Sequence, residues 1–319
     1  MTLQSGFGDI KLLAGSGCPT LAAGISNYLQ IPLSPWEIIE FPNENLFVRL
    51  QGSVRGQDVY LIQSHVRPVH RNIMEMLIAV DCLKRDSAGR VTAVMPFLAY
   101  SQSDKKDQPR VPITARLLAD MIEVAGVDRW MTIDMHAEQI QGFYKIPGDS
   151  LTGFHILVKY LAAKSLFNAV VVTPDLGYAK KGRNFAAALN VPLAFVEKRR
   201  IGNDARREAL TLIGDVSNRD VIIVDDLCDT AGSIKQAVEL VKVHGAQDVY
   251  VAFTHAVLSD PATERLRDLP IREIVTTDTI PIPPERMLPN MTILTVADLL
   301  GEVIRRCHEG RSVGEMFNE

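Results

Sequence analysis

Polar and apolar positions alternate along this chain in blocks rather than residue by residue. Runs rich in β-branched and aromatic residues, IKLLAG, IEF, FVRL, DVYLIQS, VTAVMPF, WMTID, VVVT, VIIV, IREIVTTD and MTILTV, predict strands. Between them, residues 19–29, the segment NIMEMLIAVDCLKR, residues 111–125, residues 154–163 and ADLLGEVIRRCHEG read as helices, several with an apolar face. Gly126 stops the third of these, Pro32 and Pro35 make residues 30–37 a connection, and residues 147–151 read as a turn. One unit recurs. Residues 55–96 open with RGQDVYLIQ and close with GRVTAVMP, while residues 218–254 open with NRDVIIVDD and close with GAQDVYVAFT. Each predicts a strand, a crossover helix and a parallel strand, as if the chain held two copies of one βαβ unit.

The second copy contains the segment around which the rest is organised, VIIVDDLCDTAGS at residues 221–233. Val221, Ile222, Ile223 and Val224 run together without alternation, as in a strand buried on both faces of a parallel sheet. Asp225, Asp226 and Asp229 then crowd what reads as a short loop, and Thr230, Ala231, Gly232 and Ser233 lead into a helix. A turn of small and hydroxyl residues at a helix N-terminus offers backbone N–H groups to an anion, and phosphate suits it. Carboxylates beside it suit sugar hydroxyls or Mg²⁺. The first copy has no such loop.

Length and composition narrow the class. A chain of 319 residues is long for one core and comfortable for two α/β domains, expected at 1–150 and 151–295, with a C-terminal helix in 296–319 packed on the first. A net charge of -4 provides no general field for nucleic acid or membrane surfaces. Cys18, Cys82, Cys228 and Cys307 show no metal-ligand spacing and read as reduced thiols of a cytoplasmic protein. No apolar run is long enough for a bilayer.

Further candidates stand at strand ends and in loops. His136 follows WMTID, and Asp175 follows VVVT, ahead of Gly177, Lys180, Lys181 and Arg183. Residues 99–110, AYSQSDKKDQPR, read equally as a ligand-covering loop or an exposed connection. KRRIGNDARRE gathers Lys198, Arg199, Arg200, Arg206 and Arg207, which read as a solvated loop or a clamp on transferring phosphates. The absence of GxxxxGK(S/T) and of GxGxxG after a strand weighs against P-loop enzymes and dehydrogenases. These residues point to a metal-dependent α/β enzyme of phosphorylated sugars and leave its reaction open.

VIIVDDLCDTAGS resembles the phosphoribosyl-pyrophosphate signature of the type I phosphoribosyltransferase fold, and IDMHAEQIQGFY resembles a segment specific to ribose-phosphate pyrophosphokinases. The likeness extends through AGSGCPTLA, GSVRGQDVYLIQ, TPDLG, KRR, TTDTIPIP and RSVGEMF. It implies two tandem phosphoribosyltransferase-like domains that transfer the diphosphoryl group of ATP to the C1 hydroxyl of ribose 5-phosphate. On that resemblance Asp225, Asp226, Asp229, Thr230, Ala231, Gly232 and Ser233 bind ribose 5-phosphate. His136 and Asp175 serve Mg²⁺ and the ATP phosphates, and Lys198 and Arg200 are catalytic. Phe41, Asn43, Asn45, Gln102, Ser103 and Asp104 bind ATP, with Phe41 stacking on the base in a pocket completed by a neighbouring subunit. Self-association into at least a dimer, and commonly a hexamer, follows from the same likeness.

Some positions depart from the family pattern. Asn45 stands where an acid is usual, and Gln102 replaces a phosphate-binding Arg, which implies weaker or differently arranged ATP binding. Tyr178 occupies a usual Gly, where it implies crowding or an altered backbone. Gly148, Asp149 and Ser150 replace Val-Asp-Asn, which bears on regulation by ADP and phosphate. Two rivals to the enzyme are a non-catalytic regulatory paralogue and a phosphoribosyltransferase that joins phosphoribosyl pyrophosphate to a base. The retained acids, His136 and Lys198 favour the enzyme.

Overall fold

The computed structural model describes residues 6–164, 166, 168–200 and 208–317, with the backbone alone at 198–200 and 208–209. Contacts divide the chain into a first unit, Met1–Thr152 with Thr279–Pro281 and Thr295–Glu319, and a second, Gly153–Asp278 with Ile282–Leu294.

The first unit begins with β1 (Ile10–Ala14), α1 (Pro19–Leu29), β2 (Trp36–Glu40), β3 (Leu46–Leu50) and β4 (Asp58–Ile62). It continues through α2 (Val69–Arg85), β5 (Arg90–Met95), α3 (Thr114–Ala125), β6 (Arg129–Ile133) and β7 (Gly148–Leu151). Its five-stranded sheet has the order β1-β4-β5-β6-β7, all parallel. The centre is apolar because the strands are: every residue of β4 is buried. Leu13, Val59, Leu61, Val91 and Ala93 pack with Met76, Val80, Leu118 and Ile122 of α2 and α3. Gly126 ends α3 in the left-handed conformation, at φ 105.

The stretch read as a turn at 147–151 is mostly strand. Gly148–Leu151 pairs in parallel with Trp130–Ile133, and Asp149 accepts from Arg129 Nη2 at 2.6 Å. A side chain at 148 has no room, since a Cβ there would lie 2.0 Å from Trp130 Cε2. The indole of Trp130 fills the space that a side chain at 148 would take.

The second unit comprises α4 (Phe154–Ala162), β8 (Ala169–Thr173), α5 (Ala179–Leu189), β9 (Leu193–Arg200), β10 (Glu208–Ile213) and β11 (Asp220–Cys228). After these come α6 (Gly232–Val243), β12 (Val249–Ala256), α7 (Ala262–Arg267), β13 (Glu273–Thr277) and β14 (Met291–Leu294). Its seven strands lie in the order β10-β9-β8-β11-β12-β13-β14, parallel except for the β9–β10 pair. Val221, Ile222, Ile223 and Val224 are all buried at its centre. Both units are therefore α/β, each a mainly parallel sheet flanked by helices.

The last helix, α8 (Ala297–Glu309), belongs to the first unit and packs along α1. Gly301 permits the approach, because a Cβ there would lie 2.4 Å from Tyr28 Cδ1. A buried carboxylate anchors the helix end: Asp58 accepts from Arg90 Nε at 2.7 Å, Arg90 Nη2 at 2.6 Å and the Tyr60 hydroxyl at 3.0 Å, and lies 2.8 Å from His308 Nδ1. Among the described residues, no helix is long and apolar enough to cross a membrane.

Candidate active site

Strand β11 runs further than its hydrophobic run. Asp225 and Asp226, expected in a loop, are strand residues, because β11 stays paired with β12 through Leu227↔His255 and Cys228↔Ala256. Only Asp229, Thr230 and Ala231 separate β11 from α6. Asp226 is buried, Asp225 is half-buried, and Asp225 Oδ1 accepts the Asp226 N–H at 2.9 Å. Burial, the Asp226 carboxylate and then Asp175 push the Asp225 carboxyl well above its usual range. Acids crowded in this way favour a bound cation.

The turn that follows carries an unusual backbone. Ala231 stands at φ 59, ψ 16, a left-handed conformation uncommon outside Gly, and as the N-cap of α6 it makes no side-chain capping hydrogen bond. The helix dipole and the first N–H groups of a helix suit a phosphate. Sequence reasoning missed one residue here. Arg265 of α7 donates Nη1–H to the Thr230 carbonyl at 2.9 Å, which fixes the peptide just before the left-handed Ala231. Its only sequence signal is a basic position in the charged segment TERLR, too common to single out.

Asp175 lies between β8 and α5. Its Oδ1 accepts the Tyr178 N–H at 3.2 Å, and its carbonyl accepts from Thr173 Oγ1 at 2.9 Å. Tyr178 needs no altered backbone, since its φ is -92, and its ring packs on the core beneath Lys181 Nζ, 5.6 Å from the centroid. Lys198 and Arg200 fall on the β9 backbone, but their side chains and residues 201–207, with Arg206 and Arg207, lie outside the described residues.

The remaining candidates belong to the first unit. Phe41, Asn43 and Asn45 form the tip of the β2–β3 hairpin. Asn45 N–H donates to Asn43 Oδ1 at 3.2 Å, and the Asn45 carbonyl accepts the Phe41 N–H at 2.9 Å. The tip is thus closed by its own polar groups, with Phe41 46% exposed beside Phe47, ring centroids 6.4 Å apart. Gln102, Ser103 and Asp104 follow β5 in a turned segment: Tyr100 has φ 63, and Ser103 N–H donates to the Tyr100 carbonyl at 2.9 Å. Ser103 meets the start of α3 through the Ala115 N–H at 3.1 Å, buried Asp104 accepts from Gln139 Nε2, and Gln102 is exposed. His136, also exposed, follows a left-handed Asp134 (φ 41) that breaks the chain away from β6.

Asp175, His136 and Gln102 to Asp104 follow the C-terminal ends of parallel strands, and Asp225 and Asp226 stand at the C-terminal end of another, where α/β sheets collect ligands, whereas Phe41, Asn43 and Asn45 lie at the tip of an antiparallel hairpin. Asp175 and residues 225–233 belong to one unit, and the ATP candidates with His136 belong to the other. Paired α/β units and a strand-to-helix phosphate turn define a protein of the phosphoribosyltransferase-like class. A family model described as the N-terminal domain of ribose phosphate pyrophosphokinase matches residues 10–126, and one described as a phosphoribosyl synthetase-associated domain matches residues 197–318. The ribose-phosphate pyrophosphokinase of Caldanaerobacter subterraneus subsp. tengcongensis is 45% identical over 97% of this chain and 98% of its own length. That of Campylobacter jejuni is 43% identical over 96% and 98%. The crystal structure of phosphoribosylpyrophosphate synthetase from Mycobacterium smegmatis superposes with a TM-score of 0.91 at 40% identity, covering 95% of this chain and all of that one. The chain belongs to the ribose-phosphate pyrophosphokinase family.

Proposed function

We propose that this protein transfers the diphosphoryl group of ATP to the C1 hydroxyl of ribose 5-phosphate, giving 5-phosphoribosyl 1-pyrophosphate and AMP for nucleotide biosynthesis in the cytoplasm. The observation that carries this reading is full-length relatedness to enzymes of that name together with an intact acid-to-phosphate turn at 225–233.

The 5-phosphate rests on the N-terminus of α6, with Thr230, Gly232 and Ser233 around it and Ala231 turning the backbone toward it. Asp225, Asp226 and Asp229 hold the ribose hydroxyls and orient C1. The C1 oxygen bonds to the β-phosphorus, the bond to the α–β bridging oxygen breaks, AMP departs and the hydroxyl proton is released. Lys198 and Arg200 neutralise charge developing on the transferring group. Gln102, Ser103 and Asp104 hold the ATP phosphates, while Phe41, Asn43 and Asn45 receive the base of a neighbouring subunit's nucleotide. The exposed Phe41 ring supports that assignment, and with it a dimer or a larger assembly such as a hexamer.

Mg²⁺ fits the donor set. Among the described residues no three His, Cys, Asp or Glu side chains form a ready-made cage, which suits an ion that takes one or two carboxylates and completes its shell with phosphates and water. Asp175, near the acidic Asp225, supplies a hard oxygen ligand, and His136 is the second residue assigned to the metal and phosphates. When bound, Mg²⁺ neutralises and orients the phosphates.

The test is AMP release from ATP, ribose 5-phosphate and Mg²⁺. Activity is expected in the parent and lost in Lys198→Ala and Asp225→Asn with folding retained. No AMP under any metal or phosphate condition overturns the proposal and leaves a regulatory paralogue, and consumption of phosphoribosyl pyrophosphate with a base leaves a phosphoribosyltransferase.

A further inference from the structure

Two segments assigned to the nucleotide reach the same turn of α2. Arg71, in that turn, donates Nε–H to Glu40 Oε2 at 2.6 Å, and Glu40 closes β2 immediately before Phe41. Through Nη1 the same guanidinium donates to Glu75 Oε2 at 2.7 Å, and Glu75 is fully buried. Glu75 is itself fixed, its Oε1 accepting the Ser16 N–H at 2.7 Å and Gln63 Nε2 at 3.0 Å. Next to Arg71, His70 Nδ1 lies 3.1 Å from the Tyr100 hydroxyl with the rings stacked, and Tyr100 opens the turn that carries Gln102, Ser103 and Asp104.

An exposed ion pair ordinarily contributes little, because both long side chains must be ordered to form it. Here Arg71 is already oriented by a buried carboxylate, so only Glu40 remains to be ordered. The hairpin has reason to need this anchor: β2 and β3 form a separate two-stranded sheet, an arrangement marginally stable by itself.

We propose that Arg71 is a positioning residue for the donor nucleotide: its ion pair with Glu40 sets the β2–β3 hairpin and so the placement of Phe41 and Asn43. The inference rests on the reading of that hairpin as base-binding. His70 ties the segment assigned to the subunit's own ATP phosphates to the same turn, so the base of the neighbour's nucleotide and the phosphates of this subunit's are referred to one anchor.

Steady-state kinetics on the full-length protein test this with Glu40→Ala, Arg71→Met, their double variant and Phe41→Ala. Each of the first two raises KM for ATP about threefold to tenfold and narrows the preference for ATP over GTP, while KM for ribose 5-phosphate stays within about twofold. The double variant is no worse than Arg71→Met alone, since the Arg71 change already removes the pair with Glu40. Glu40→Ala keeps the test sound if Arg71→Met folds poorly, because the Glu40 side chain is 45% exposed and Glu75 keeps its partner. If Phe41→Ala raises KM for ATP and Glu40→Ala does not, the positioning role is overturned and the base-binding hairpin stands. If neither changes it, the hairpin reading falls and the inference with it. A parallel rise in KM for both substrates marks general loosening and also overturns it.

Discussion

Gln102 is exposed in a turned segment whose neighbours, Ser103 and Asp104, are tied down, so it can be exchanged without disturbing the fold. An Arg there would give a phosphate oxygen a charge-assisted hydrogen bond, worth about 1.5–3 kcal/mol when shielded and less in the open. Gln102→Arg is therefore expected to tighten ATP binding roughly fivefold by calorimetry, and an unchanged affinity would show that this side chain does not face the nucleotide. At Gly148 the constraint is steric. Gly148→Val pushes a branched side chain into Trp130, which is 2% exposed, and is expected to cost about 1–3 kcal/mol, read as a lower unfolding midpoint. Neither neighbour relation is visible in sequence order, since Trp130 and Gly148 meet only through the pairing of β6 with β7.

The βαβ units were legible as elements because their strands are continuous apolar runs, and a strand with two buried faces needs such a run. The pattern failed where polarity and strand coincide. GDSL carries one large apolar residue and reads as a turn, yet an edge position and the Arg129–Asp149 pair suffice to make it β7. Asp225 and Asp226 read as loop because acids rarely enter central strands; pairing with β12 holds them there, beside the site they are proposed to serve. The acid-to-cradle turn was legible, but its brace was not, since Arg265 reaches Thr230 across 35 residues. Losing that brace frees the peptide that sets the left-handed Ala231. Arg265→Ala is expected to raise KM for ribose 5-phosphate about fivefold, the effect of roughly 1 kcal/mol, while leaving KM for ATP nearly unchanged. Equal effects on both substrates would place Arg265 in general stability instead.

At the scale of the whole molecule, two parallel-sheet units in one chain follow from the repeated hydrophobic blocks, whereas the return of α8 to the first unit depends on contacts such as Asp58–His308 and Tyr28–Gly301. Stability of the molecule has a pH dependence written into β4's exit. His65 is fully buried against Met76, among the described residues its Nδ1 has no hydrogen-bond partner, and burial lowers its pKa from 6.5 to about 4. The unfolded chain therefore binds a proton that the folded chain refuses between those values. Stability is complete above pH 6.5, declines as pH falls toward 4, and by then has lost about 3 kcal/mol from this group. Denaturant unfolding of the protein between pH 7 and 4 should show that slope, and His65→Phe, which keeps an aromatic ring in the space but takes no proton, should flatten it. A slope unchanged in His65→Phe would assign the acid sensitivity to other groups.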